Sequence, residues 1–276
     1  MNWVDVATLG DDVSYAGTGI RLTLSMAVAV VATAALSSLA SAADMATKAP
    51  PTIASSDAYS SVLWLSGDFQ DHVSDGSVGG IYALSGNLDA PGWLLRGQFT
   101  FAGFDDFNAF PAGAGTGHGD FSDGSGLIGY QIVGNGLAAS GYVGLDYQLY
   151  HFNPASANTN GLGDRAGLML AGRVATVGAN PYSFAIDGQY STAYNEFWVR
   201  ARPGVKFGNL TVGPEVVGLG NNVFDQVRGG GFASYQVARG LTVEADLGYA
   251  DAAGNNNSGS RGGSGIYGGV TLVLLH

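Results

Sequence analysis

The sequence predicts an all-β protein: a closed antiparallel up-and-down transmembrane β-barrel of about 12 strands, preceded by a signal peptide. Three observations predict it. From residue 62 onward, apolar and polar residues alternate with a period of two, the repeat of a strand with one apolar and one polar face. Short and long connectors alternate between these runs, as periplasmic turns and outer loops do in such barrels. Charged side chains collect on the face opposite the apolar one.

The N-terminal part reads as targeting. Residues 22–39 are LTLSMAVAVVATAALSSL, preceded by Arg21 and followed by Ala40-Ser41-Ala42. An apolar run ending in a small-x-small site is a signal-peptide pattern, which places cleavage after Ala42. Asp5, Asp11 and Asp12 suit no signal n-region and point to a later translation start such as Met26. Ala-Asp-Met-x-x-Lys-Ala-Pro-Pro over residues 43–51 resembles the mature start of alphaproteobacterial outer-membrane proteins. The expected organisation is 1–42 N-terminal extension and signal peptide, 43–61 Pro-containing linker and 62–276 β-barrel.

The strand runs are 62–70, 79–88, 92–104, 122–133, 137–150, 165–177, 181–190, 194–207, 210–219, 223–237, 241–251 and 264–275. Val143, Leu145, Tyr147 and Leu149 alternate with Tyr142, Gly144, Asp146 and Gln148. Leu241, Val243, Ala245, Leu247 and Tyr249 alternate with Thr242, Glu244, Asp246 and Gly248. Many runs reach the ~9–11 residues that a tilted strand needs to cross a bilayer. Asn135-Gly136 and Gly208-Asn209 read as tight turns, while 71–78, 105–121, 151–164 and 252–263 read as long loops. An even strand count leaves both termini on the short-turn side.

Aromatic residues gather at predicted strand ends, as interfacial girdles require. Phe101, Phe104, Tyr150, Phe152, Tyr190, Tyr194, Phe224, Tyr249 and Tyr267 map to the long-loop side; Trp93, Tyr182, Phe207 and Tyr235 map to the other. The inward face carries an expected lumenal polar network of Arg96, Asp146, Asp187, Arg200, Arg202, Glu215, Arg228 and Glu244. A lipid-facing Arg or Lys at mid-bilayer would cost about 2–4 kcal/mol, whereas lumenal charges can pair. The competing reading is one solvated face of an open soluble sheet.

Composition narrows the function. The 276 residues hold 22 Asp and Glu against 11 Lys and Arg, a net charge of −11 that disfavours nucleic acid as a partner. Zero cysteines exclude disulfides, thiolate metal sites and cysteine nucleophiles. His72, His118, His151 and His276 show no metal-ligand spacing, so neither metal nor cofactor is expected. Asp105, Asp106, Asp120 and Asp123 read as one acidic solvated loop. No Gly-x-Ser-x-Gly elbow occurs in a strand–turn–helix context. A rim Ser/His enzyme like the lipid A acylases would use His151 as base, but no matching serine motif is visible, and no catalytic residue is assigned.

Several ordered pieces resemble the cellulose biosynthesis protein family BcsS. They are Gly80-Ile81-Tyr82-Ala83-Leu84-Ser85-Gly86-Asn87-Leu88, Gly92-Trp93-Leu94-Leu95-Arg96, Gly129-Tyr130-Gln131, Tyr190-Ser191-Thr192-Ala193-Tyr194-Asn195, Gly213-Pro214-Glu215 and the run from Asn222 to Phe232. The resemblance implies a non-enzymatic outer-membrane barrel associated with cellulose production or export. The partners it implies are outer-membrane lipid and cellulose or periplasmic cellulose-export components. The alternative is a general porin-like or adhesin barrel with no cellulose role. Under the first reading Phe104, Phe107, Phe110, Tyr150 and Phe152 are candidate glucan-contact residues beside Asp105, Asp106, Asn153 and Asn158. Aromatic faces stack on sugar rings while amides and carboxylates accept hydroxyls. The plainer reading makes these aromatics interfacial girdle only. The chain ends in His276, where outer-membrane barrels typically end in Phe, but Val270, Leu272 and Leu274 keep the alternating terminal strand.

Overall fold

The computed structural model describes residues 58–71, 73–106, 117–153, 163–178, 180–222, 224–254 and 264–276. The expected signal peptide and most of the linker lie outside the described residues, as do Phe107 and Phe110 and the side chain of Phe152.

Twelve strands form, the number expected from the alternation: β1 (Ser61–Gln70), β2 (Val73–Ala83), β3 (Gly92–Asp106), β4 (Gly117–Gly134), β5 (Leu137–Asn153), β6 (Arg165–Thr176), β7 (Tyr182–Ser191), β8 (Phe197–Phe207), β9 (Leu210–Gly220), β10 (Phe224–Ala238), β11 (Leu241–Gly254) and β12 (Gly265–Leu275). Each pairs antiparallel with its sequence neighbour, and β1 pairs with β12 to close the ring. Closure leaves no strand edge, which hydrocarbon would not tolerate. The seam is finished by the Ser60 and Ser61 amides, which donate to the His276 carbonyl at 2.7 and 2.9 Å.

The strand boundaries correct the sequence reading in two places. The second strand spans 73–83 rather than 79–88, so 71–78 is not a long loop. The β1–β2 ladder runs on through Ser66↔Ser77 and Asp68↔Asp75 to Gln70↔Val73. Backbone pairing holds this polar, glycine-rich stretch in the sheet, and such pairing leaves no apolar period in the sequence. Likewise β4 begins at Gly117 instead of residue 122. With 15, 18 and 17 residues, β3, β4 and β5 are the longest consecutive trio, and they project at the loop side. Four of the five hairpins on the terminal side are short, and the β2–β3 connection over 84–91 is the longer exception. Asn135 (φ 51°) and Gly136 (φ 75°) place two consecutive left-handed residues between β4 and β5, the geometry that matches strand twist in a two-residue hairpin.

The outside of the barrel is apolar. Val143 and Leu170 face each other across β5 and β6 at 52 % and 56 % exposure. Leu145, Leu168, Val216, Leu247 and Val270 extend this belt. Aromatics ring both ends. Tyr82, Trp93, Tyr130, Tyr182, Phe207 and Tyr235 are exposed near the terminal side, with Trp93 edge-on to Tyr130 at 5.4 Å. Phe69, Phe99, Phe101, Tyr147, Tyr190 and Tyr249 are exposed toward the loop side. Three expected girdle tyrosines do not belong to it. Tyr150, Tyr194 and Tyr267 share the inward parity or fold inward, and Tyr194 and Tyr267 are buried at 3 % and 2 % exposure. Each finds a hydrogen bond there, which buried tyrosine hydroxyls require.

The interior is packed. Ala83, Leu94, Leu127, Tyr142 and Met169 form one buried apolar cluster, flanked by Ile81, Leu88 and Ala171. Close strand approach depends on glycine at Gly144, where a Cβ would run into the Gly126 carbonyl and the Leu127 backbone.

Candidate functional site

The inward face of β8 presents Arg202 at 7 % exposure, because its parity opposes the lipid-facing Val205 and Phe207. Its Nε donates to Glu215 of β9. Its Nη1 donates to Glu244 of β11 at 2.8 Å, and its Nη2 lies 3.5 Å from Asp246. The guanidinium stacks over Phe232 of β10, 5.1 Å from the ring centroid. One side chain thus ties together four strands. Glu215 also accepts from the Tyr267 hydroxyl at 3.3 Å, and Glu244 from Ser234 at 3.2 Å.

A second group surrounds Asp187 of β7. Arg173 of β6 donates to it at 2.8 Å, and Arg200 lies at 3.8 Å. Among the described residues Arg96 makes no ion pair. It donates to Gln98 at 2.7 Å and Gln189 at 3.2 Å, between the rings of Trp64 and Tyr142, each 5.8 Å away. Arg228 donates to Gln226 at 2.6 Å, stacks on Tyr267 and lies 3.6 Å from Asp68. Of the eight residues expected in the network, the structure therefore gathers Arg202, Glu215 and Glu244 into one cluster and Asp187 and Arg200 into another. Arg96 and Arg228 stand at separate points of the lumen.

Asp146 belongs to neither cluster. It is 3 % exposed and accepts from Ser191 at 2.7 Å and Gln148 at 3.0 Å. Beside it lies Asp123, which the sequence placed in a solvated acidic loop. Instead Asp123 stands on β4, directly opposite Gln148, and is 3 % exposed. Three residues along the strand turn the carboxylates to opposite faces, since Asp120 points outward to His118 at 3.3 Å. Glu196, in the β7–β8 connection, completes an acidic group. Burial, with Asp123 and Asp146 nearby, pushes its carboxyl up to about 8. The alternation put Asp146 and Glu196 on the inward face but carried no signal that Asp123 joins them there.

The residues between β7 and β8 fold inward over the barrel mouth. Ala193 and Tyr194 are buried, and the Tyr194 hydroxyl donates to the Gly163 carbonyl at 2.7 Å and accepts from its amide at 2.8 Å. The Tyr194 ring meets Tyr150 edge-on at 5.2 Å, and Arg165 stacks on it at 4.4 Å. Tyr194 and Asn195 both take positive φ, 54° and 50°, a conformation that costs energy for tyrosine and needs such anchors. At the opposite mouth, Gln131 donates to the carbonyls of Leu88 and Ala90 at 2.6 and 3.3 Å, holding the β2–β3 connection across the apolar cluster.

Of the candidate glucan-contact residues, Tyr150 faces the lumen, packed on Phe121 at 4.7 Å and hydrogen-bonded by Asn221 at 3.1 Å. Phe104 lies over Gly119 on the projecting part of the sheet. Phe107, Phe110 and the Phe152 side chain are outside the described residues. Among the described residues, no group of three His, Asp or Glu side chains is placed to hold a metal ion.

The family model described as cellulose biosynthesis protein BcsS matches residues 62–275. No curated protein matches the chain. Among solved structures, a KdgM porin is 10 % identical with a TM-score of 0.40, covering 77 % of this chain and 98 % of that one. The β domain of the Bordetella autotransporter BrkA is 14 % identical with a TM-score of 0.44, covering 80 % and 100 %. Outer membrane phospholipase A from Escherichia coli is 10 % identical with a TM-score of 0.39, covering 83 % and 94 %. At such scores these likenesses carry no argument about this chain. Its outer-membrane place follows from its own closed, girdled, apolar exterior, which suits only a barrel in lipid.

Proposed function

The chain belongs to the cellulose biosynthesis protein BcsS family, and from that membership we propose that it is a non-enzymatic outer-membrane barrel that accompanies cellulose export and holds glucan or export components at its rims. The observation that carries the reading is the extent of the family match, which spans every strand of the barrel. The packed interior favours the rims over passage through the lumen. Leu94, Leu127, Tyr142 and Met169 fill the terminal half, and Tyr194 and Tyr150 cover the loop half. A glucan chain would have to displace them. The extended β3–β5 sheet, with Phe104 on it, offers a surface for glucan outside the membrane.

A clean deletion tests this. Extracellular cellulose should fall or lose its fibre organisation, while glucan synthesis by isolated inner membranes stays normal. Removing 107–116 alone should reproduce part of the defect. Cellulose unchanged in amount and organisation in the deletion strain would leave a general barrel without a cellulose role. In planar bilayers the intact protein should conduct far less than an open porin.

A further inference from the structure

The projecting β3–β5 sheet carries a cleft on its outward wall, where the sheet leaves the loop-side girdle. The cleft measures about 310 Å³, and its lining includes Phe101, Gly103, Asp120, Ser122 and His151. Strand register builds it. Phe101 pairs with Ser122, Gly103 with Asp120, and Asp120 in turn with His151, and direct cross-strand partners share one face of a sheet with Cβ atoms about 4.5–5.5 Å apart. The Phe101 ring lies across Gly76, its partner on β2, where a Cβ would collide with it. The phenylalanine is nonetheless 51 % exposed. Beside this ring Gly103 leaves a pit. A Cβ on Gly103 would lie 3.8 Å from His118 Cε1 and 4.0 Å from both Asp120 Oδ1 and Ser74 Oγ, which is ordinary contact. Polar side chains from the two flanking strands, β2 and β4, thus stand around an open floor with an aromatic ring at its side.

This lining discriminates among ligands. The Asp120 side chain is 67 % exposed, so an acyl chain filling the cleft would have to bury a carboxylate, which is costly. Neither lysine nor arginine is among the lining residues, so a phosphate headgroup would meet Asp120 with no cation to offset the repulsion. A neutral sugar ring suits both ends of the cleft. Its apolar C–H face lies against Phe101, and its hydroxyls reach the carboxylate, imidazole and serine groups around Gly103. We propose that the cleft formed by Phe101, Gly103, Asp120 and His151 is a subsite for one pyranose ring of a neutral glucan, entered from outside the barrel. The subsite rests on the reading that this barrel holds glucan at its rims, and it places that contact on the outward wall of the projecting sheet.

Cellohexaose, a soluble neutral β-glucan, tests the subsite by calorimetric titration of the full-length chain folded in detergent micelles. The wild type should bind it saturably. Phe101→Ala removes the ring, Gly103→Leu fills the pit, and Asp120→Ala removes the acceptor; each should weaken binding at least tenfold. Tyr249→Ala, in the girdle on β11, should leave it unchanged. A galacturonate hexasaccharide should bind at least tenfold more weakly than cellohexaose, because Asp120 repels its carboxylates. Urea midpoints of the variants confirm that each barrel is folded. Absence of saturable cellohexaose binding would overturn the subsite. So would binding that folded Phe101→Ala and Gly103→Leu leave intact, or binding that vanishes in vesicles containing lipopolysaccharide, where the cleft would be a seat for lipid. Each of these results leaves the cellulose role itself standing, since that falls only when the clean deletion leaves extracellular cellulose unchanged.

Discussion

Replacing Arg202 by methionine removes the only cation in contact with Glu215, Glu244 and Asp246 among the described residues. Methionine keeps the bulk of the stem and its contact with Phe232, so the change isolates the charge. Glu215 is 2 % exposed and Arg202 7 %, so water cannot take over the solvation of the acid. Breaking a buried pair from one side typically costs about 3–5 kcal/mol, because the remaining charge stays buried and unpaired. With a urea slope of roughly 2 kcal/mol/M, the unfolding midpoint in lipid vesicles should fall by about 1.5–2.5 M. The assay is tryptophan fluorescence during urea unfolding from vesicles; Trp64, Trp93 and Trp198 all lie on strands. Arg202→Lys keeps the charge but not the three-way fork, and should fall between the two. The double variant Arg202→Met with Glu215→Gln should recover part of the loss, because it no longer strands the most buried acid. If Arg202→Met unfolds with the wild-type midpoint, the lumen is wet enough to solvate its own carboxylates, and the buried-hub reasoning fails.

Other outcomes follow from the same geometry. Leu170→Arg puts a charge in the lipid belt, should cost about 2–4 kcal/mol and should slow insertion into vesicles; insertion at the wild-type rate would reverse the in/out assignment. Gly144→Ala drives a Cβ into the Gly126 carbonyl across the β4–β5 pair and should lower stability by about 1–3 kcal/mol, read from the same urea curves. Glu196 keeps its proton in the folded barrel up to about pH 8, against an ordinary 4.5, because it is buried beside Asp123 and Asp146. The folded state then binds more protons than the unfolded state between those values, so stability should fall as pH rises from about 5 to 8. Glu196→Gln should flatten that slope, and an identical slope in both proteins would place the titration elsewhere.

The strand count, the barrel class and the inward or outward sense of most residues were legible in the sequence alone. The reason is that a strand's side chains alternate strictly and lipid tolerates few charges, so Val143 beside Tyr142 or Ala201 beside Arg202 already states which way each points. The same rule identified Arg202, Glu215 and Glu244 as inward-facing before any of them had a partner. Other features needed the tertiary structure. The polar, glycine-rich start of β2 is held by pairing with β1, and backbone hydrogen bonds leave no mark on side-chain periodicity. Tyr194 lies in a connection, where alternation ends, and only its bonds to Gly163 turn it inward. Which acid meets which arginine depends on barrel shear and side-chain reach. Glu215 and Glu244 come from different strands to the same guanidinium, while Asp146, with the same inward sense, is met by Ser191 and Gln148 instead of an arginine. Parity is a local property of the chain, but pairing across the lumen exists only once the ring has closed.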